Sequence, residues 1–361
     1  MSIAPDKLAQ LRILQRQYLQ LVDPSQLRWP DAQVLKSYEV QSWMFLHMFD
    51  ESNVKSPPPE RYRLRVLKLL ISKLERSIVD PEEDEISDDL MSAMSALLTS
   101  NVPSEADSAQ QKAFVTYSYP LHSADDSTSG EQAVTLLEAR SVISGSGTTG
   151  LRTWEAALLL GSYLATDDGR NLIKGKRVFE LGAGTGVISI LCAKHLDAAG
   201  VVATDGDEAV VDAIKTNLFL NQLDVDSLEG CQVRTAALKW GWPVDATTFS
   251  EDYGMEVPNV LLGADVTYDK TVIPRLVSTM YEFLDLNPAL EILISATIRN
   301  EATFETFLNA CRRNGFRFEQ ISYPPTPELE QAGPFYPVST PIQIWRITKP
   351  EAAGCKDPFT V

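Results

Sequence analysis

The sequence has few of the residues that form metal sites and disulfides. It contains four cysteines and three histidines among 361 residues, and the cysteines are too widely spaced for a Cys-x-x-Cys motif. Structural zinc sites use cysteine and histidine ligands at short spacings, so we expect no metal site. Cys192 and Cys311 lie within helical patterns and are expected to be ordinary buried thiols.

The chain also lacks a surplus of basic residues and a long apolar run. Its 32 lysines and arginines are outnumbered by 49 acidic residues, which leaves a net charge of −17. Nucleic-acid surfaces need clustered lysine and arginine, so we expect no nucleic-acid partner. No segment reaches the ~18 apolar residues of a membrane span, and residues 1–6 lack the basic start of a leader peptide. These absences predict a soluble cytoplasmic protein with no membrane partner.

The acidic residues are unevenly distributed. Residues 80–110 contain nine acidic side chains and no basic one. We interpret this stretch as a solvated linker, with an acidic docking site as the alternative.

A glycine-rich turn between a strand pattern and a helix pattern organises the chain. The apolar pair Val178-Phe179 runs into Glu180 and Leu181, Gly-Ala-Gly-Thr-Gly follows at 182–186, and an apolar run starts at Val187. These glycines allow positive φ angles and close approach of a ligand. A dinucleotide site needs a further glycine where Val187 stands, so that pattern fails. With Glu180 the pattern is acid-x-Gly-x-Gly-x-Gly, and a purely structural turn is the alternative.

The N-terminal residues show helical periodicity. A first pattern ends at Asp23-Pro24, and further helices are predicted over 31–46, 61–78 and 88–98. Residues 101–111 are rich in serine and acidic residues, as in a linker. The predicted organisation is a helical domain at 1–100, a linker at 101–112, a larger α/β domain at 113–350 and a tail at 351–361.

Strands and helices alternate from residue 176 onward. Before this, strands are predicted at 112–119 and 134–143, with a helix over 156–164 that Thr153 caps. The later strands are predicted at 178–181, 201–204, 232–238, 260–264 and 292–296, with a final antiparallel pair at 316–322 and 341–347. This order predicts a parallel sheet with right-handed crossovers. Ligands bind at the carboxyl ends of such strands, so the loops after 181, 204, 238 and 264 are expected to form one site.

Side chains suited to a nucleoside occur in these loops. Asp205 ends the second strand, where a carboxylate can accept both ribose hydroxyls. Nicotinamide and methyl-donor cofactors share that contact, so it does not choose between them. Gly206 follows and is placed near the adenine. Trp240 and Trp242 offer flat faces to an adenine or a sulfonium, with hydrophobic closure of the sheet end as the alternative.

The turn after the fourth strand reads Asp265-Val266-Thr267-Tyr268. A carboxylate and a ring three residues apart suit a cation, because a lysine ammonium can be held by the acid and lie against the ring. The turn lacks the prolines of turns that grip planar amides, so it favours lysine. A carboxylate keeps a proton on a nearby amine. We therefore assign Asp265 to orientation, with the proton lost to solvent.

Four stretches together carry a more specific pattern. They read GTTGLRTWEAA at 147–157, ELGAGTG at 180–186, LKWG at 238–241 and ADVTYD at 264–269. They resemble the signatures of methyltransferase family 16, the seven-β-strand protein-lysine methyltransferases. The first stretch, with the helical extension, is similar to the branch that has a FAM86 N-terminal domain and methylates elongation factor 2. The resemblance covers about 140–348 and is looser over 1–100.

The resemblance implies a Rossmann-like α/β fold with seven strands and a helical N-terminal domain, S-adenosyl-L-methionine as cofactor, and elongation factor 2 as the protein substrate of a monomeric enzyme. The family's cofactor contacts fall on Trp154, Gly182, Ala183, Gly184, Asp205, Trp240 and Ala264, and the loops add Glu180, Thr185, Gly186 and Gly206. By position alone, Trp154 is a packing residue at a helix start. The catalytic pair carries over to Asp265 and Tyr268.

Two alternatives stay open. One keeps the enzyme class and changes the substrate to another protein or a small amine. The other is a cofactor-binding scaffold that helps a partner assemble without turnover.

Residues 242–258 are expected to border the substrate channel.

Overall fold

A computed structural model describes residues 3–79, 84–100, 104, 107, 110–120, 131–139, 148–224 and 231–349. The predicted linker and the acidic stretch lie partly outside these residues. The predicted tail at 351–361 lies outside them entirely. Among the helices of the described part, none has the length and apolar character needed to cross a membrane.

The chain divides into two compact units. The N-terminal unit comprises Met1–Pro120, Ser127–Thr149 and Gln331–Phe335. The sheet unit comprises Leu121–Asp126, Gly150–Glu330 and Tyr336–Val361. This division groups residues 113–120 with the helices, whereas the sequence prediction begins the α/β domain at 113. The domain bounds drawn from the sequence stay a prediction.

Helices build the first part of the N-terminal unit. They are α1 (Pro5–Leu19), α2 (Ala32–Leu35), α3 (Tyr38–Met44), α4 (Glu60–Ser77) and α5 (Asp88–Thr99), with a 3₁₀ turn at Pro24–Gln26 and a π-helical turn at Phe45–Phe49. Apolar faces at helical spacing close a core that includes Leu11, Leu14 and Tyr18 of α1, all fully buried. The single helix predicted over 31–46 is wrong. Ser37 adopts an extended conformation between α2 and α3 and interrupts it.

A two-stranded antiparallel hairpin completes the described part of this unit. Its strands are β1 (Lys112–Tyr119) and β2 (Gln132–Ala139), and Lys112 pairs with Ala139. The second strand starts earlier than the predicted 134–143. Arg16 of α1 forms an ion pair with Glu131, just before β2, at 2.5 Å. This contact gives a physical reason for the hairpin to group with the helices.

The sheet unit is built on a seven-stranded sheet within the described residues. Its strands are β3 (Arg177–Leu181), β4 (Gly200–Asp205), β5 (Gln232–Ala237), β6 (Val260–Ala264), β7 (Glu291–Thr297), β8 (Arg317–Ile321) and β9 (Ile342–Thr348). Their order is β5-β4-β3-β6-β7-β9-β8. The first five pair in parallel, and β9 pairs antiparallel with β7 and β8. The predicted α/β fold and the antiparallel final pair are confirmed.

Helices connect these strands. They are α6 (Glu155–Leu164), α7 (Asp167–Ile173), α8 (Val187–His195), α9 (Glu208–Leu220), α10 (Phe249–Tyr253), α11 (Ile273–Leu286) and α12 (Glu301–Arg313). The chain passes from β3 outward to β5, then crosses to β6 on the other side of β3. This reversal is a topological switch point, where open α/β sheets bind their ligands. The short helices α7 and α10 were not predicted. Phe249 of α10 is buried and lies 6.1 Å from Phe179, measured between ring centroids.

Candidate functional site

The glycine loop after β3 requires glycine at its three positions. Gly182, Gly184 and Gly186 have φ angles of 65°, 56° and 81°. A Cβ atom on Gly182 would lie 2.9 Å from Val266 and 3.2 Å from Trp240. One on Gly184 would lie 3.2 Å from the carbonyl oxygen of Gly150. Larger residues would therefore add strain and collide with neighbouring loops, so glycine is what allows the loops to meet closely on this edge of the sheet.

Buried hydrogen bonds anchor the rest of the loop. The Ala183 N–H donates to the Thr204 carbonyl at 2.8 Å, and the Thr185 carbonyl accepts from the Asn217 side chain at 2.9 Å. Thr185 and Thr153 share a hydroxyl–hydroxyl hydrogen bond of 2.6 Å. Ala183 and Thr185 are both buried. These bonds fix the loop to the strand and helix beside it, and the predicted cap role of Thr153 is wrong because Trp154 takes the cap position.

Glu180 supports the loop from below. Its side chain is 2 % exposed, and its Oε2 accepts from the N–H of Ser189 at 3.0 Å and from the Ser189 hydroxyl. The carboxylate thus satisfies a free N–H in the first turn of α8, where the helix dipole favours negative charge. Burial raises the pKa of Glu180 to about 7, although the Ser189 hydrogen bonds lower it. Its observed partners indicate that the side chain supports the loop, and the cofactor contact predicted for Glu180 stays a prediction.

Asp205 lies beside the glycine loop at the end of β4. Its Oδ2 accepts from the Gly184 N–H at 3.2 Å, and its Oδ1 accepts from the Asp207 N–H at 3.1 Å. Burial raises the pKa of Asp205, and these backbone donors oppose the rise. Gly206 follows and is exposed. The geometry holds a carboxylate next to the open backbone of the loop.

The loops after β5 and β6 meet the same edge. Trp240 is half-buried against the sheet core and approaches Gly182, as does Val266. Ala264 ends β6 and is partly exposed. Trp242 is 65 % exposed and has Lys239 over its ring. The alternative that Trp242 covers the end of the sheet as a packed hydrophobic residue is therefore wrong. The four loops after residues 181, 204, 238 and 264 therefore lie together. The rule that ligands bind at the carboxyl ends of parallel strands, here called the strand-end rule, predicted this.

Asp265 is held in an uncommon backbone conformation. Its φ angle is 52°, and its N–H donates to the Ser295 carbonyl at 2.9 Å. Its two carboxylate oxygens accept from the Thr297 N–H at 2.8 Å and from the Thr297 hydroxyl at 3.0 Å. Left-handed aspartate is tolerated but strained, and such strain clusters at functional sites. Tyr268, three residues later, is 66 % exposed.

A charged cluster surrounds Trp154 and Asp265. The Arg299 Nη2 lies 2.7 Å from Glu155 Oε2 and 3.7 Å from Asp265 Oδ2. The guanidinium carbons of Arg299 and Arg152 lie 5.0 Å and 5.5 Å from the centroid of the Trp154 ring. Burial raises the pKa of Asp265, whereas Thr297 and the charge of Arg299 lower it. Sequence reasoning missed Arg299, although its position directly after β7 satisfies the strand-end rule that selected the other residues.

Comparison with known proteins agrees with this architecture. A family model described as lysine methyltransferase matches residues 137–314. Protein-lysine N-methyltransferase EFM3 of Chaetomium thermophilum is 45% identical over 92% of this chain and 96% of its own length. EFM3 of Saccharomyces cerevisiae is 34% identical over 59% of this chain and 64% of its own length. Protein-lysine N-methyltransferase EEF2KMT of Homo sapiens is 28% identical over 74% of each chain.

The resemblance inferred from the four sequence stretches is thereby confirmed. The match with the Chaetomium protein spans nearly the full length of both chains, so it includes the helical N-terminal region as well as the sheet. The chain therefore belongs to the lysine methyltransferase family of enzymes.

Proposed function

We propose that this methyltransferase moves the methyl group of S-adenosyl-L-methionine to a lysine side chain of elongation factor 2. The observation that carries the proposal is the convergence of the strand-end loops, with Gly184 donating to Asp205 and with Gly182 approached by Trp240. This arrangement combines a glycine backbone, a partly buried carboxylate and an aromatic face. A nucleoside with a cationic centre needs those groups.

The residues present fit such a cofactor. A Cβ atom on Gly182 or Gly184 would collide with Val266 and Trp240 or with Gly150, so glycine allows these loops to approach each other around the proposed cofactor site. Asp205 would accept the ribose hydroxyls, and the half-buried Trp240 would border the adenine. Trp154, Ala183, Thr185, Gly186, Gly206 and Ala264 complete the proposed contacts, while Glu180 supports the loop. When bound, the cofactor would supply a methyl group on a sulfonium, which an amine can attack directly.

Asp265 is proposed to orient the attacking amine. A carboxylate offers about four acceptor positions, and Thr297 occupies two of them, so about two remain and one of these can accept an N–H of the substrate. The exposed Tyr268 would contact the aliphatic stem of the lysine. Asp265 would not remove the proton, because a neighbouring carboxylate stabilises the ammonium. The proton leaves to solvent, and positioning accounts for most of the rate.

Elongation factor 2 is proposed on two grounds. The stretch GTTGLRTWEAA at 147–157 resembles the branch that methylates this factor, and the similarity to EEF2KMT spans three quarters of the chain. We further propose that the enzyme acts as a monomer in the cytoplasm. We also propose that the enzyme consists of a helical domain at 1–100 and a methyltransferase domain at 113–350.

The experiment is methyl transfer in an extract. Cells that lack this protein supply the extract, and S-adenosyl-L-methionine labelled in its methyl group is added with the purified chain. We expect one labelled band at the mass of elongation factor 2. Labelling only of other proteins would refute the substrate. Cofactor binding without labelling of any protein would instead support a scaffold.

A further inference from the structure

We propose that Arg299 neutralises Asp265 so that the substrate lysine can lose its proton inside the site. Arg299 would then be a positioning residue, acting on the amine through Asp265. This inference rests on the proposed function, since it concerns the lysine that the enzyme would methylate.

The geometry places Arg299 among the groups that would hold an ammonium. Its guanidinium reaches Glu155 at 2.7 Å and Asp265 at 3.7 Å, and it lies over the ring of Trp154 at 5.0 Å. The Asp265 side chain is 10% exposed, while that of Arg299 is 44% exposed. The carboxylate that would orient the amine is therefore largely covered but still accessible, and the guanidinium of Arg299 already faces it.

The local charges balance. Asp265 follows β6, Arg299 follows β7, Glu155 begins α6 and Arg152 lies just before α6. These four side chains carry two positive and two negative charges, and Thr297 adds neutral hydrogen bonds to Asp265. An entering ammonium meets a cluster without net charge. If Arg299 is removed, the same ammonium meets a net negative charge.

The net charge of the cluster affects the reaction because it changes how readily the substrate ammonium loses a proton. The free amine must attack the methyl carbon, so the N–C bond forms as the S–C bond breaks. The electron pair of the S–C bond stays on sulfur, which becomes a neutral thioether, and the product nitrogen carries the positive charge. The proton that the lysine ammonium loses before the attack goes to water. An unpaired carboxylate within about 4–6 Å raises the pKa of an amine by about 1–3 units. Arg299 opposes this rise, and more of the lysine is therefore free amine at neutral pH.

The first test is the pH dependence of kcat/KM for methylation of purified elongation factor 2. Arg299→Gln should move the rising limb of the profile upward by about one pH unit, so that activity near neutral pH falls about tenfold and recovers in alkali. Arg299→Lys keeps the charge and should restore most of the profile. Arg152→Gln is the matched control, since it removes the other cation of the cluster, which lies over Trp154 but forms no ion pair with Asp265 in the described part of the chain. It should therefore shift the rising limb of the profile less.

A loss of activity by the same factor at every pH would overturn the inference, because it would indicate a structural role only. An equal shift in the Arg152→Gln variant would overturn it as well. Circular dichroism of each variant checks the fold. If Arg299→Gln is unfolded, the profile of Arg299→Lys decides, and a large shift despite the retained charge contradicts the inference.

A second readout needs no substrate. Carbon-13 NMR of aspartate-labelled protein, with Asp265→Asn to assign the signal, follows the titration of Asp265. Arg299→Gln should raise the pKa of Asp265, and an unchanged pKa would refute the pairing. If the unaltered enzyme methylates no lysine, the proposed function fails and the role of Arg299 fails with it. The NMR titration separates that outcome from failure of the pairing alone.

Discussion

Replacing Glu180 with glutamine tests how the glycine loop is supported. The carboxylate is 2 % exposed and accepts from the N–H and the hydroxyl of Ser189. Burial raises its pKa to about 7 from the usual 4.5. The folded chain therefore binds a proton between these pH values that the unfolded chain has released. Binding of this proton contributes fully to the free energy of unfolding below the pKa of the unfolded chain. The contribution is lost as the pH rises through about 7.

Glutamine cannot ionise, so the variant does not lose this stability. One pKa unit corresponds to about 1.4 kcal/mol. The free energy of unfolding of Glu180→Gln, relative to that of the unaltered chain, should therefore increase by about 2.5 kcal/mol between about pH 5 and about pH 8. A constant offset from altered hydrogen bonds does not affect this change with pH.

The assay is urea unfolding of both proteins across this pH range. Glu208→Gln is the matched control, because it makes the same change at the first residue of α9, where the side chain is exposed. The control should keep the pH dependence of the unaltered chain. A difference between Glu180→Gln and the unaltered chain that stays constant with pH would refute the reasoning. It would mean that burial does not destabilise the charged carboxylate.

Further predictions concern the cofactor cradle and the proposed lysine site. Gly184→Ala should lower S-adenosyl-L-methionine affinity at least about tenfold in calorimetry, because positive φ costs about 1–2 kcal/mol and the Cβ would lie 3.2 Å from a backbone oxygen. Gly175→Ala is its control, since φ there is also positive but nothing lies within 4 Å, so only stability should fall; equal loss of affinity would contradict the cradle. Asp205→Asn should weaken cofactor binding by about 10–100-fold, as expected for loss of hydrogen bonds to a charged acceptor; unchanged affinity would remove Asp205 from the site. Thr297→Val deletes a 3.0 Å bond to Asp265 and should lower kcat about tenfold with cofactor affinity unchanged; an unchanged kcat would exclude a positioning role for Thr297.

Local patterns predicted much of the sheet unit because they depend on neighbouring residues. The strand Val260–Ala264 has the predicted bounds, and the glycines of the loop adopt the positive φ angles that their pattern requires. The strand-end rule brought Asp205 and Trp240 to the same edge. These predictions needed only periodicity, turn chemistry and the topology of parallel sheets.

Features that depend on distant partners were not predicted. Arg299 bonds to Glu155, which is 144 residues away in sequence, so no local pattern identifies the pair. Thr153 looks like a helix cap, but its hydroxyl bonds to Thr185, 32 residues away. Periodicity continued across Ser37, where the backbone turns away from the helix. In each case tertiary contacts or a local turn outweighed the pattern of the surrounding residues.

The central claim is that this enzyme methylates a lysine of elongation factor 2 with S-adenosyl-L-methionine. The most direct measurement is mass spectrometry of purified elongation factor 2 after incubation with the cofactor and the chain, with peptide mapping of the product. We predict added methyl mass on a lysine-containing peptide, lost when the Asp205→Asn variant replaces the chain. Unmodified elongation factor 2, or methyl mass on a residue other than lysine, would contradict the account.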